Sequence, residues 1–94
     1  MNGQDSEIHV ALLDDDVEIR DLVCGYLGRY GVDCMGVGSA QELRRVLQRN
    51  HFDLLLLDIM LPDINGLQLC QELRETSGLP VILLTLGKKQ TKHT

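Results

Sequence analysis

Four side chains stand out for the chemistry they could share. Asp14 and Asp15 follow one apolar run, Asp58 follows a second, and Thr85 ends a third. Carboxylates gathered at one point repel one another unless a cation lies among them. Oxygen donors with room left for water are what Mg²⁺ prefers. An Asp nucleophile, a divalent ion beside it and a hydroxyl donor suit phosphoryl transfer to a carboxylate. That chemistry requires the four residues to meet, and the elements between them decide whether they do.

Ile8 to Leu13 reads as a short buried strand, closed by Asp14-Asp15-Asp16. Apolar residues at Ile19, Leu22, Val23, Tyr26, Leu27 and Tyr30 follow helical spacing, and Gly31 supplies a left-handed stop. Val32 to Val37 is a second strand. Ser39-Ala-Gln-Glu42 is a capping box, opening a helix that buries Leu43, Val46 and Leu47 and frays near Asn50-His51. Phe52 to Leu57 is a third strand, apolar at nearly every position and so expected to be covered on both sheet faces. Ile59 to Asn65 is a loop holding Pro62. Gly66 precedes a helix with Leu69, Cys70 and Leu73 inward, Gly78 closes it, and Pro80 to Thr85 is a fourth strand.

Strands alternating with helices imply an α/β fold, a doubly wound parallel sheet with right-handed crossovers and helices on both faces. In such sheets function gathers at the carboxyl ends of the strands. With strand order 2-1-3-4, strands one and three are neighbours, and Asp14, Asp15 and Asp58 converge with Thr85 on the far side of Asp58. Taken singly, each acid is more readily structural, since Asp14 or Asp16 could cap the first helix. Asp16 is the better placed for that role. Three carboxylates and a hydroxyl at the ends of three strands together favour a site.

The bulk numbers exclude several other classes. Ninety-four residues make one domain, and 44% hydrophobic with 24% charged residues suits a folded globular chain. Aromatic content of 3% means an aliphatic core. The net charge is −5, and the Lys residues all lie at 88, 89 and 92, so the body ahead of them is more acidic still. An acidic body disfavours direct contact with nucleic acid. The apolar run Leu54 to Leu57 is far too short to cross a bilayer, which takes about 20 residues. Met1 to Glu7 lacks the features of a signal peptide, so a cytoplasmic location without membrane contact is expected.

Cys24, Cys34 and Cys70 are scattered, which argues against a disulfide framework or a zinc site, and Cys24 and Cys70 read as buried thiols. His9, His51 and His93 have no metal-ligand partner at helical spacing. Gly36-Val-Gly38 lacks the third glycine of a dinucleotide fingerprint and follows the second strand, not the first.

Three separated segments carry a family resemblance. Ala11 to Arg20 (ALLDDDVEIR), Leu54 to Gly66 (LLLLDIMLPDING) and Pro80 to Thr85 (PVILLT) resemble the receiver domains of bacterial two-component response regulators in order, spacing and strand context. The resemblance runs from Ile8 to about Leu86. It implies the flavodoxin-like receiver fold and a phosphoacceptor at Asp58, served by a sensor histidine kinase. Asp14 and Asp15 match the acidic pair that holds Mg²⁺, and the backbone carbonyl of Met60 matches the third protein ligand. Thr85 matches the hydroxyl that bonds the phosphoryl group, while Pro62 and Gly66 match the turn after the acceptor strand. Arg20 and the apolar face of the first helix resemble members that carry a winged-helix DNA-binding domain. A parent transcription regulator is therefore expected, reaching DNA only through an output domain absent here.

The chain also departs from that family. No residue matches the Lys that ends its fifth strand, the last helix-strand-helix is missing, and Leu86 stands where a small residue is usual. The expected organisation is a polar leader at 1–7, a truncated receiver at 8–86 and a disordered basic tail at 87–94. A homodimer or an exchange of elements is expected to cover the bare sheet face. A degenerate receiver, binding or dimerising without phosphorylation, is the alternative reading. Neither reading makes the chain an enzyme beyond self-catalysed phosphotransfer. A phosphatase with an Asp nucleophile favours a second acid where Met60 stands.

Overall fold

Short aliphatic runs separated by capped helices fold here into a single parallel sheet. A computed structural model describes residues 8–61 and 65–84. The elements are β1 (Ile8–Leu13), α1 (Val17–Gly28), β2 (Val32–Val37), α2 (Ala40–Arg49), β3 (Leu54–Asp58), α3 (Gly66–Ser77) and β4 (Val81–Leu84). The strands are all parallel, as the alternation predicts, and lie in the order β2-β1-β3-β4. The expected leader at 1–7, Pro62, Thr85, Leu86 and the tail at 87–94 lie outside the described residues.

Local chemistry explains where the helices start. Asp16 is the N-cap of α1, its carboxylate accepting from the amides of Glu18 (2.9 Å) and Ile19 (3.4 Å). Ser39 caps α2 by accepting from the amide of Glu42 at 3.1 Å. Glu42 reaches back to the amide of Gly38, one residue earlier than the capping-box pattern predicts. Asn65 caps α3, and Gly78 ends it in the left-handed region at φ 68°.

Two predicted boundaries move. α1 stops at Gly28, so Tyr30 belongs to the following turn, where its ring tilts against Tyr26 at 5.2 Å between centroids. Gly31 is left-handed at φ 80° but serves that turn instead of capping the helix. Phe52 is buried yet precedes β3, because the backbones of His9 and Asp53 clamp the chain there: the Asp53 amide donates to the His9 carbonyl at 2.7 Å, and the His9 amide donates to the Asp53 carboxylate at 2.8 Å.

The core is one-sided. Ala11 and Leu13 of β1 and Leu55 and Leu57 of β3 meet Ala40 and Leu43 of α2 and Leu69, Cys70 and Leu73 of α3. Complete burial of a Leu side chain contributes about 1.5–3 kcal/mol, so this face holds the fold together. The other face is thinner. Val10 and Leu12 are buried there, but Leu54 and Leu56 are only partly covered, which corrects the expectation of a β3 enclosed on both faces. No residue of α1 is buried, and Leu22 and Tyr26 of its apolar stripe remain exposed. The physical reason is position: α1 lies mainly over β1 and β2, leaving a groove lined by Leu22, Val23, Tyr26, Leu27, Leu56 and Leu84.

Arg44 links the two helices of the well-packed face. Its Nε and Nη2 donate to the two carboxylate oxygens of Glu72, each at 2.8 Å. These bonds hold the Glu72 carboxyl below its ordinary 4.5, with the pairing charge a smaller contribution. A depressed folded pKa stabilises above the unfolded value and loses that effect as pH falls through the folded one. Arg44→Ala should return the Glu72 titration, followed by NMR, to near 4.5. Its stability cost at neutral pH should stay below about 1 kcal/mol, because water screens both ends.

Candidate functional site

Strand register brings the first two acids together. Leu13 of β1 pairs with Leu57 of β3, so the next residues, Asp14 and Asp58, are side by side on strands about 4.8 Å apart. Asp14 extends the sheet on its other side, donating its amide to the carbonyl of Val37 at 3.1 Å. Asp58 is the last residue of β3, and the following Ile59 amide donates to the Leu84 carbonyl at 3.1 Å. The strand ends are thus tied on both sides before either side chain is placed.

Both carboxylates are fixed by one local device. Asp14 Oδ1 accepts from the amide of Asp16 at 2.9 Å, and Asp58 Oδ1 accepts from the amide of Met60 at 3.0 Å. Each is a side chain bonding its own backbone two residues on, which turns the chain sharply at the end of a strand. Asp14 and Asp58 have no exposed surface, whereas Asp15 is exposed. One oxygen from each of the three lies within 4.8 Å of the others.

The predicted convergence of Asp14, Asp15 and Asp58 is therefore present. Such a set is self-repelling without a cation. The donors are all hard carboxylate oxygens, and exposed Asp15 keeps one side open to water, which is the donor chemistry a small divalent cation takes. The cluster can hold a metal. Met60 is exposed and its amide serves Asp58. Pro62 and Thr85 belong to residues not described.

Gly66 is placed by a close approach. A Cβ there would sit 2.7 Å from Ile59 Cα and 3.3 Å from the Asp58 carbonyl oxygen, both backbone atoms. The start of α3 thereby presses directly on the end of β3, and only glycine permits it.

Arg20 has a role that sequence reasoning missed. Its Nη1 donates to the backbone carbonyl of Asp14 at 2.8 Å. Its side chain crosses β2 over two glycines, with Cδ 3.1 Å from where a Cβ of Gly36 would stand and Nη1 2.8 Å from that of Gly38. Gly36 and Gly38 thus make room for Arg20. The signal was the glycine spacing at the end of β2 and just beyond it, opposite a long cation on α1, legible only once the two elements are known to face each other.

A doubly wound parallel sheet with three carboxylates at the ends of β1 and β3 defines an α/β domain able to hold a metal ion, and comparison narrows the class. The response regulator receiver domain matches residues 10–94, and the chain belongs to that family. The transcriptional regulatory protein GltR of Pseudomonas aeruginosa is 39% identical over 84 residues, covering 86% of this chain and 35% of GltR. This chain spans about a third of the length of the curated relatives it matches.

Among solved structures, the BeF3-activated N-terminal receiver domain of Klebsiella pneumoniae RstA superposes with a TM-score of 0.76 at 36% identity, covering 82% of this chain and 66% of that one. The response regulator TrrA of Thermotoga maritima, in complex with Mg(2+)-BeF, gives 0.77 at 29% identity, covering 83% and 69%. TrrA in complex with the histidine kinase ThkA gives 0.78 at 26%, covering 93% and 76%. The fold is the flavodoxin-like receiver fold that the sequence resemblance implies.

Gly66→Ala should weaken this site through its backbone. The added methyl must push α3 away from Ile59, costing about 1–3 kcal/mol in urea unfolding. A variant as stable as the parent would show that α3 does not set the end of β3.

Proposed function

We propose that this chain is a phosphoacceptor switch domain in two-component signalling, taking a phosphoryl group on Asp58 with Mg²⁺ held by Asp14, Asp15 and Asp58. The observation that carries this reading is the buried Asp58 at the end of β3, in contact range of two more carboxylates. Mg²⁺, when bound, supplies positive charge against the transferring oxygens. The chain's own residues do the rest. The Met60 amide orients one Asp58 oxygen, and the Asp16 amide orients one oxygen of Asp14. Arg20 holds the Asp14 carbonyl, and so fixes the backbone from which both acids of the pair project. The Met60 carbonyl is the proposed third protein ligand, and Thr85 the proposed hydroxyl donor to the phosphoryl group. Pro62 and Gly66 are the proposed residues of the site loop after the acceptor strand.

The TrrA structures support the rest by analogy: a histidine kinase as donor and Mg²⁺ as the ion. The regulators among the relatives support a transcription regulator as the whole protein, and a cytoplasmic location is part of the proposal. No helix among the described residues is long and apolar enough to cross a membrane. Self-association over the α1 groove completes the proposal, and sedimentation as a well-folded monomer at high concentration would remove that part.

The test is Mg²⁺-dependent phosphate incorporation from acetyl phosphate, read by intact mass, with Asp58→Asn as control. A phosphate-sized gain that needs Mg²⁺ and is lost in the variant is expected. A folded, Mg²⁺-binding protein that gains nothing would transfer the reading to a binding or dimerisation module that is not phosphorylated.

A further inference from the structure

The helix-strand contact that carries Arg20 also joins two cysteines. α1 runs antiparallel to β2, as a helix in a right-handed crossover must, so one turn forward on the helix meets two residues back on the strand. Arg20 Cβ lies 3.2 Å from the Cβ position of Gly36. The next pair along the same contact is Cys24 against Cys34. Disulfides need Cβ atoms about 3.5–4.5 Å apart, and the 3.2 Å approach of Arg20 to Gly36 brings α1 close against β2 one turn away. Both cysteines are free and half-buried, whereas Cys70 is buried in the core on the opposite face. Cys24 is thus not the core thiol its apolar neighbours suggest.

We propose that Cys24 and Cys34 form a dithiol site that reacts with low-molecular-weight disulfides and closes into a Cys24–Cys34 disulfide. This site is independent of the acidic cluster. Burial, above all, pushes the Cys34 thiol well above its ordinary value, and the neighbouring Cys24 and then Asp33 add to the rise. Cys24, on the helix that has no buried residue, is the first to attack, as its thiolate. The Cys24 thiolate bonds one sulfur of the small disulfide and expels the other as thiolate. Cys34 then loses its proton, attacks the Cys24 sulfur and expels the second small thiolate. Two protein thiols are oxidised, one small disulfide is reduced to two thiols, and the two protein protons pass to them.

The bridge would fasten α1, the helix with no buried residue, to the edge strand β2. Oxidised glutathione is the probe, applied to the folded 94-residue chain, followed by digestion with trypsin without reduction. The expected product is the peptide Asp21–Arg29 joined to Tyr30–Arg44, with a higher melting temperature for the oxidised protein. Cys34→Ser, checked for folding by circular dichroism, should stop at a glutathione adduct on Cys24 and show no such rise. Adducts without the joined peptides, a link through Cys70, or a joined protein that melts lower than the reduced one would each overturn the proposal.

Discussion

Two carboxylates with no exposed surface, set side by side, form an arrangement that a chain holds only if its backbone leaves no other choice. Buried charge is costly unless it is paired, and like charges raise that cost. Here the choice is removed by the ladder. Leu13 against Leu57 fixes where Asp14 and Asp58 must emerge, and the amides of Asp16 and Met60 then set the direction of each side chain. The aliphatic face beneath them, with Leu13, Leu55, Leu57 and Leu69 fully buried, supplies the stability against which this crowding is maintained. Most of the molecule can be read as a support for that one point.

The support differs on its two flanks. On the β3 side it is a contact of main chain with main chain, Gly66 against Ile59, which admits no adjustment by rotamer. On the β1 side it is a long cation laid across two glycines to the carbonyl of Asp14. The first fixes position by exclusion, the second by a directed bond whose geometry depends on what stands at positions 36 and 38.

Much of this was legible in the chain. The caps at Asp16 and Ser39 and the Gly78 stop follow from local cap chemistry, and the meeting of Asp14, Asp15 and Asp58 follows once the strands take the order 2-1-3-4 that the family resemblance implies. What was not legible depends on partners remote in sequence. Nothing near Phe52 announces that His9 will clamp Asp53 and end the strand early. Nothing near Cys24 announces Cys34, and nothing near Arg20 announces the two glycines. The exposure of α1 was hidden for a related reason: an apolar stripe reports that a helix can be buried, not how much of the sheet it reaches.

That uneven coverage makes the acidic site a seam. α2 and α3 cling to one side through fully buried leucines, while α1 rests on the other with none of its residues buried. Local opening costs least where the least apolar surface is lost, so amide exchange and transient detachment belong to the α1 flank. The Asp14-Asp15-Asp16 turn lies between the firm half and the loose one, supplying two acids to the cluster and the cap to α1. Any occupant that prefers one arrangement of that turn shifts the opening equilibrium of the whole flank. An occupant of the cluster would then be felt along the first helix as a change in how often it lifts.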